Sequence, residues 1–455
     1  MGNIPALPVR TAACVPILRQ RDLARTTPAK QRDWQEFIWD TETAYWNGMR
    51  DFLKKDLGVK APVVGTQGFW SPGHVQAGMD VIDSHAYWHH PDFHGKGWNP
   101  DVWDVKNEPM AGAPDGGTLP GLAAQRVAGK PFLCTEYNHP APNTYSAETF
   151  PLLCAFAALQ DWDGVFAFSY SHRAGDAWSQ EHFNNFFDID RHPVKMATLP
   201  AAVMSFRRGD IEQWLSGNRY GLHRNWTLEF ALLHGPMLGA PRSLFDPQEA
   251  METQKSWEIS DIGENEFPLV KREHPYVGLS TFSIKHHRVG AGLEWKSADD
   301  CLRIESRKSS AMLGHVAKRQ AVSVSSAKIA AGNDRNKWIC IQLTVLDQYG
   351  DFHLAPYAGP DFSTAKRILI TATGDIENTG MGWKNAEKTS VGRDWGKAPV
   401  LVEGPAAKIE LPGGGKFKAW ALDERGQRRA EIPVANGTLE IGPQHRTLWY
   451  EVERQ

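Results

Sequence analysis

Residues 135–140 read Thr-Glu-Tyr-Asn-His-Pro and directly follow the apolar run 131–134. This places the carboxylate of Glu136 at the end of a short buried strand. In barrels that alternate strands and helices, the side chains that do chemistry lie at the carboxyl ends of the strands. A carboxylate there can attack an electrophilic carbon or accept a proton. Glu136 is therefore the first candidate for a catalytic residue.

Two other predicted strands also end in polar and aromatic side chains. Residues 83–88 read Asp-Ser-His-Ala-Tyr-Trp, and residues 169–172 read Ser-Tyr-Ser-His. Three successive strand ends thus present His, Tyr, Trp, Glu and Asn side chains toward one face, which is typical of a binding pocket. The predicted ligand-contacting residues are His85, Tyr87, Trp88, Asn138, His139, Tyr170 and His172.

Strand-like and helix-like segments alternate around these positions. Thr27 and Pro28 form an N-cap and first turn before a long amphipathic helix that Gly58 ends. Four βα units predict a parallel sheet covered by helices. The predicted strands are 61–66, 79–84, 131–135 and 165–169, and further helices are predicted at 74–77, 119–128, 147–160 with Ser146 as its cap, and 193–206.

From about Arg207 onward the pattern changes to short alternating segments. These predict an antiparallel β-sandwich over residues 301–455, and residues 209–300 are interpreted as a β-rich connecting region. Asn436-Gly437 is a strong hairpin signal. The segments are 338–346, 367–373, 400–402, 408–411, 416–422 and 431–441.

Composition and charge narrow the classes of partner. The 455 residues carry 50 basic and 53 acidic side chains, for a net charge of −3, without a long run of either sign. Nucleic acid and anionic membrane surfaces are therefore not predicted as partners. No apolar run approaches the length of a membrane-spanning helix. The 18 Trp and 20 Phe mainly predict well-packed cores, although flat aromatic faces also suit sugar rings.

Neither cysteines nor histidines predict a metal site or a cofactor. The five Cys are scattered without metal-ligand spacing, and no disulfide framework is implied. His85, His89, His90 and His94 are close in sequence, but no Cys or Asp set gives them ligand spacing. Residues 12–18 are the only apolar stretch near the start, so the chain as written predicts a soluble protein without an export signal. A truncated start could have removed an export signal, so the localisation of the protein stays open.

The pattern Asp83-x-His85-x-Tyr87-Trp88, taken with residues 136–140, resembles clan A glycoside hydrolases. This (β/α)8-barrel family includes cellulases and β-galactosidases. The resemblance covers about residues 31–208 and matches the fifth to eighth strands. In the clan, the seventh strand ends in a nucleophile within a Thr-Glu or Ser-Glu setting, the sixth commonly carries His-x-Tyr, and the eighth carries an aromatic sugar platform. The resemblance implies a partial TIM barrel of about four βα units over residues 1–208, followed by β-sandwich domains.

The resemblance also implies an activity, namely retaining hydrolysis of O-glycosyl bonds in a β-linked carbohydrate without a cofactor. Such chemistry needs two carboxyl groups roughly 5 Å apart, one as nucleophile and one as proton donor. Glu136 takes the nucleophile position. The clan's proton donor follows Asn on the fourth strand, on the order of a hundred residues earlier. Asn107-Glu108 imitates this pair, but it lies too close to Glu136 and follows the strand that bears His85. Glu148 and Asp188 are the other candidate carboxylates.

By this alignment the first four barrel strands and the proton donor are absent. The chain is therefore predicted to carry the nucleophile-side half of the site and to be inactive or impaired alone. Uncovered strand edges predict self-association or pairing with a complementary N-terminal half. Two other hypotheses stay open at this point. One is a non-catalytic carbohydrate-binding or interaction protein, and the other is that the start of the chain is an artefact of the gene model.

Overall fold

The computed structural model describes residues 25–67, 71, 73–113, 117–123, 125–127, 129–211, 219–222, 277–280, 292–296, 301–305, 308–315, 322–324, 327–331, 338–347 and 360–455. The chain divides into two compact units. The first holds Met1–His85, Pro120–Cys134 and Gly217–Thr281, and the second holds Ala86–Leu119, Thr135–Ser216 and Phe282–Gln455. Within the described ranges, no helix combines the length and apolar character needed to cross a membrane.

The first helix forms where the capping signal predicts it. Helix α1 spans Pro28–Asp51, and Thr27 precedes it in extended conformation, its hydroxyl accepting a hydrogen bond from the backbone N–H of Lys30 at 3.3 Å. Threonine satisfies an otherwise unpaired N–H, and proline fits the first turn because its missing N–H is not needed there. The chain continues through a π-helical turn, Phe52–Asp56. Trp39 of α1 is buried against Val75.

The α/β part is built on a parallel sheet. Its strands β1 (Ile82–Tyr87), β2 (Phe132–Asn138) and β3 (Gly164–Ala167) lie in the order β1-β2-β3. Hydrogen bonds join Ile82 N to Pro131 O and Trp88 N to Asn138 O, so the partners advance in the same direction along both strands. The further helices are α2 (Gly73–Gln76), α3 (Leu119–Ala123), α4 (Thr149–Leu159) and α5 (Pro193–Arg208).

Four local predictions in the α/β part differ from the structure. The strand predicted at 79–84 lies at Ile82–Tyr87. The predicted strand 61–66 is reduced to one parallel bridge between Val64 and Val81. The helix predicted over 119–128 ends at Ala123. Ser146 does not cap α4, because it belongs to a 3-10 turn and its hydroxyl donates to Asn143 O at 2.7 Å instead. Almost every residue of α4 is buried, as expected for a helix that is apolar on all sides.

The all-β part begins after α5. Its strands are β4 Arg219–Leu222, β5 Val277–Ser280, β6 Gly292–Lys296, β7 Cys301–Glu305, β8 Ser309–His315, β9 Val322–Val324, β10 Ala327–Ala331, β11 Trp338–Val345, β12 Arg367–Thr373, β13 Ile376–Thr379, β14 Lys397–Val402, β15 Ala407–Glu410, β16 Phe417–Leu422, β17 Arg428–Ile432, β18 Val434–Ala435, β19 Thr438–Ile441 and β20 Trp449–Arg454. Within the described ranges, the two large antiparallel sheets are an eight-stranded one in the order β17-β16-β20-β12-β11-β8-β7-β6 and a five-stranded one in the order β18-β19-β15-β10-β9. Two smaller antiparallel pairs are β4-β5 and β13-β14.

Both large sheets contribute to one apolar core. Ile341 and Ile370 of the eight-stranded sheet belong to the same buried cluster as Ile409 and Leu439 of the five-stranded sheet. The predicted antiparallel pairing is confirmed, and residues of both sheets pack in one shared core. The predicted hairpin at 436–437 is also confirmed, since both residues have positive φ, 52° and 73°, between the paired strands β18 and β19. The chain thus combines an α/β part with an all-β part.

Candidate active site

The carboxyl ends of β1 and β2 bring Tyr87 and Glu136 together. The Tyr87 hydroxyl donates a hydrogen bond of 2.6 Å to Glu136 Oε2. Both side chains are half-buried, so the carboxylate is neither fully hydrated nor sealed in the core. Adjacent parallel strands place residues at their carboxyl ends side by side, which explains how residues far apart in sequence meet here.

Four aromatic rings form a cluster around this hydrogen bond, which we call the aromatic cluster: Tyr87, His90, Phe168 and Phe187. The Tyr87 ring centroid lies 5.0 Å from that of Phe187, 5.3 Å from that of His90 and 6.1 Å from that of Phe168. These separations fall in the range of favourable tilted and edge-to-face ring contacts. The cluster fixes the phenol ring of Tyr87 and therefore its hydroxyl against Glu136.

Asn138 supports the aromatic cluster from the interior. Its amide nitrogen donates to Phe168 O at 2.6 Å and to Phe187 O at 2.7 Å, while its amide oxygen accepts from Lys195 Nζ at 2.7 Å. Lys195 Nζ also donates to His139 O at 2.6 Å. Asn138 and His139, both predicted to contact a ligand, are completely buried. Asn138 thus holds Phe168 and Phe187 of the aromatic cluster in place through their backbone carbonyls.

Glu148 is a buried carboxylic acid close to His139, the residue that follows β2. Glu148 is completely buried, and its carboxyl accepts hydrogen bonds from Met110 N at 2.5 Å and Ala111 N at 3.1 Å. Burial raises the pKa of Glu148 to about 8, against the lowering effect of these two N–H donors. His139 Nδ1 lies 3.7 Å from Glu148 Oε1, but burial lowers the pKa of His139 well below its usual value. Both groups are therefore neutral near pH 7, and the contact is not an ion pair.

Substituting Glu148 with Gln should remove a pH dependence of folding stability. The raised pKa means that the folded chain keeps a proton that the unfolded chain loses above its ordinary value of 4.5. The stabilising contribution of this proton is complete below that value and is lost as the pH rises toward about 8. The wild-type free energy of unfolding should thus fall, relative to that of Glu148→Gln, by up to ~1.4 kcal/mol per pH unit between pH 5 and 7.

Urea titrations of both proteins at several pH values measure this difference. Glu424→Gln is the matched control, because Glu424 is exposed and its substitution should leave the slope unchanged. Burial lowers the pKa of Lys195 to about 7, so above that pH Lys195 makes the free energy of unfolding rise with pH. Both proteins contain Lys195, and the comparison between them therefore cancels its effect. Parallel curves for wild type and Glu148→Gln would contradict a protonated Glu148.

The third strand end contributes an exposed pair. Tyr170 and the side chain of His172 are 60% and 54% exposed. His172 Nδ1 lies 2.6 Å from Asp188 Oδ1 and 2.9 Å from the hydroxyl of Ser169. The His172 ring packs edge-on against Phe168, with the centroids 5.3 Å apart. The structure therefore places His172 beside the aromatic cluster, and it leaves both predicted residues, Tyr170 and His172, within reach of solvent.

The other predicted residues are placed differently. His85 Nε2 lies 2.9 Å from Asp83 Oδ2. Trp88 is buried, and its indole N–H donates to Glu108 O at 2.8 Å. Among the loop tryptophans, Trp98 is 63% exposed and Trp178 is also exposed, whereas Trp103 is buried and stacked on Trp395 with centroids 5.6 Å apart. Only the exposed rings can offer a free face to a ligand.

The three further candidate carboxylates differ in their access to solvent. Glu108 is well exposed and contacts His89 Nε2 at 3.4 Å. Glu148 has a raised pKa but is completely buried. Asp188 is buried, and although burial works to raise its pKa, hydrogen bonds from His172, Asn185 and Ser169 outweigh this and lower it. A proton donor for a glycosidic oxygen must reach the substrate and hold a proton, so the buried Glu148 and Asp188 are poor candidates.

Sequence reasoning missed Lys195 and Phe187. Lys195 is in the first turn of α5, where lysine usually faces solvent, but here it is completely buried and bonded to residues at the end of β2. Phe187 lies in a loop, where an aromatic residue gives no positional signal. Lysine burial needs partners that are distant in sequence, so no local pattern could have identified it.

The chain matches no protein-family model, no curated protein and no solved structure. Its function must therefore be argued from the site alone. In the ranges that the structure describes, no group of three or more His, Cys, Asp and Glu side chains is placed to hold a metal ion. Instead, His85 lies beside Asp83 and His89 beside Glu108, while His94 lies between Asp92 and Asp104.

Proposed function

We propose that this chain carries the nucleophile-side half of a retaining glycoside hydrolase site on a partial (β/α)8 barrel of about four βα units. Glu136 is the nucleophile, and Tyr87, Tyr170 and His172 contact the sugar. The single observation that carries the proposal is the 2.6 Å hydrogen bond from the Tyr87 hydroxyl to Glu136 at adjacent strand ends. A phenol that donates to a carboxylate orients the group, and an oriented carboxylate can attack an anomeric carbon.

The surroundings of Glu136 support this chemistry. The aromatic cluster limits hydration around Tyr87, and a partly desolvated carboxylate is a better nucleophile than a fully hydrated one. The exposed rings of Tyr170 and Trp98 offer flat faces that suit a sugar. We identify no accessible carboxylic acid for the second role among the residues that the structure describes, and we infer that a complementary N-terminal half supplies it.

Covalent labelling tests the role of Glu136 without a proton donor. A dinitrophenyl 2-deoxy-2-fluoro-β-glycoside transfers its sugar to a carboxylate, because the bond from C1 to the phenolate oxygen breaks as the bond to the carboxylate oxygen forms. The dinitrophenolate leaves with the electron pair and needs no proton. We expect one fluoroglycosyl group on the peptide that contains Glu136, detected by mass spectrometry after proteolysis.

A small panel of gluco-, galacto- and manno-configured reagents allows for the unknown sugar. Glu136→Gln should take up no label, whereas Glu181→Gln, which changes an exposed carboxylate elsewhere in the same unit, should be labelled like the wild type. Labelling of another carboxylate, or equal labelling of Glu136→Gln, would contradict the proposed nucleophile.

A non-catalytic carbohydrate-binding protein is the second candidate. The observation that favours it is the exposure of Trp98, Tyr170 and Trp178, which could retain a sugar without cleaving it. Calorimetry with cello-oligosaccharides and galacto-oligosaccharides separates the two hypotheses. Binding without any labelling of Glu136 by the fluorinated reagents would favour the binding protein, and labelling of Glu136 would favour the hydrolase site.

A further inference from the structure

Asp188 and His172 form a hydrogen-bonded pair beside the end of β3. His172 Nδ1 lies 2.6 Å from Asp188 Oδ1, and the backbone N–H of His172 contacts both carboxylate oxygens at 3.1 Å. Asp188 is only 2% exposed, whereas about half of the His172 side chain is exposed. The pair therefore joins a buried carboxylate to an imidazole that solvent reaches.

Neighbouring groups hold the Asp188 carboxylate in place. Asn185 Nδ2 donates to Oδ2 at 2.7 Å, and the Ser169 hydroxyl donates to Oδ1 at 3.1 Å. The amide oxygen of Asn185 also accepts from the backbone N–H of Asp188 at 2.8 Å. Asp188 is ionised near neutral pH, because these donors and His172 outweigh the effect of burial and lower its pKa. An ionised carboxylate only accepts hydrogen bonds, so Nδ1 of His172 must carry a hydrogen.

We propose that Asp188 is a positioning residue that fixes His172 in the Nδ1–H tautomer, so that Nε2 accepts a hydrogen bond from a hydroxyl group of a bound ligand. In the neutral ring, a hydrogen on Nδ1 leaves the lone pair on Nε2. Within the described part of the chain, every side-chain hydrogen bond of His172 is made by Nδ1, which leaves Nε2 for a ligand. That the ligand is a sugar rests on the proposed function.

The geometry excludes a serine-hydrolase triad at the same position. A triad needs the serine and the carboxylate on opposite nitrogens of the histidine ring, so that one nitrogen takes the serine proton while the other is held. Here the Ser169 hydroxyl and Asp188 Oδ1 both lie beside Nδ1, at 2.9 and 2.6 Å. Ser169 therefore helps to fix the ring and does not act as a nucleophile activated by it.

The tautomer of His172 can be measured directly in the full chain. Long-range proton–nitrogen correlation of ¹⁵N-histidine-labelled protein near pH 8 distinguishes a protonated ring nitrogen from an unprotonated one. His172→Gln assigns the signals, because the side chain is exposed and its loss removes one set of peaks. We expect protonated Nδ1 and unprotonated Nε2 for His172. The opposite pattern in the wild type would overturn the proposal, whether or not any variant folds.

Variants then test the positioning role. Asp188→Asn should reduce the population of the Nδ1–H tautomer, and Ser169→Ala should retain it. Titrations with methyl β-glucoside, methyl β-galactoside and cellobiose should show an affinity about 10-fold lower for Asp188→Asn and for His172→Gln, as expected when one hydrogen bond to the ligand is lost. Glu181→Gln should bind like the wild type. A tautomer that is unchanged in Asp188→Asn would overturn the proposal.

These measurements separate the two proposals. A wild-type chain that shows the expected tautomer, loses it in Asp188→Asn and binds none of the sugars supports the positioning of His172 and counts against a sugar ligand. A chain that binds sugar with unchanged affinity after Asp188→Asn or His172→Gln supports a carbohydrate function and overturns the role of this pair in it.

Discussion

The wild-type chain should cleave a dinitrophenyl β-glycoside about 10²–10⁴ times faster than a phenyl β-glycoside of the same sugar. A phenolate leaves poorly unless it is protonated, and a general acid typically contributes a factor of this size. A dinitrophenolate leaves without a proton. The half-site proposed here contains the nucleophile Glu136 but not the acid, so only the activated substrate should react at a measurable rate.

Added azide should increase release of dinitrophenolate further, because it attacks the glycosyl-enzyme without needing a general base. Release should fall to the buffer rate in Glu136→Gln and remain at the wild-type rate in Glu181→Gln. The assay is continuous absorbance of the phenolate at several azide concentrations. If both substrates were cleaved at similar rates, with both activities lost in Glu136→Gln, an acid would have to be present in this chain and the half-site proposal would be wrong.

Substituting Arg208 with Met should lower the free energy of unfolding by roughly 3–5 kcal/mol. Arg208 ends α5, and it pairs with Asp210 and donates to Val345 O at 2.5 Å. Both members of the pair are about 95% buried, at 5% and 6% exposed. Removing only the cation leaves a buried carboxylate that keeps the hydrogen bond from Ser309 but loses its charge partner, which costs more than the intact pair contributes.

Urea denaturation followed by circular dichroism measures the loss. Arg207→Met is the matched control, since Arg207 is exposed and adjacent, and it should change stability by less than about 0.5 kcal/mol. The double variant Arg208→Met/Asp210→Leu should recover much of the loss, because it removes both charges together. A double variant no more stable than Arg208→Met would indicate that packing of the guanidinium, and not the isolated carboxylate, causes the loss.

Local sequence signals predicted many of the elements. The Thr27-Pro28 cap predicted the start of α1, and the positive φ values of Asn436 and Gly437 follow from residue types that tolerate them. The strands predicted at 338–346 and 367–373 lie at 338–345 and 367–373, because both segments are short runs rich in apolar and β-branched residues. A similar apolar run at residues 61–66 was also predicted as a strand, but it forms only the bridge from Val64 to Val81.

The candidate site was predicted less completely. The expectation that functional side chains lie at the carboxyl ends of strands selected Tyr87, Glu136, Tyr170 and His172. It could not distinguish exposed positions from buried ones at the end of β2. Both faces of a parallel sheet are covered, so the alternation that marks a solvent-facing side is missing there. Asn138 and His139 were for that reason predicted to contact a ligand, and the structure places both in the interior. Whether the chain is a glycoside hydrolase stays a prediction.

The sequence by itself determined the helices and strands with strong local signals, the change from α/β to all-β, and the carboxylate and aromatic residues at three strand ends. Tertiary structure alone decided which of those side chains meet. The Tyr87–Glu136 hydrogen bond, the burial of Glu148 and Lys195, and the orientation of His172 by Asp188 all depend on residues brought together by folding. Hydrogen bonding and burial depend on neighbours in space, and local periodicity carries no record of those neighbours.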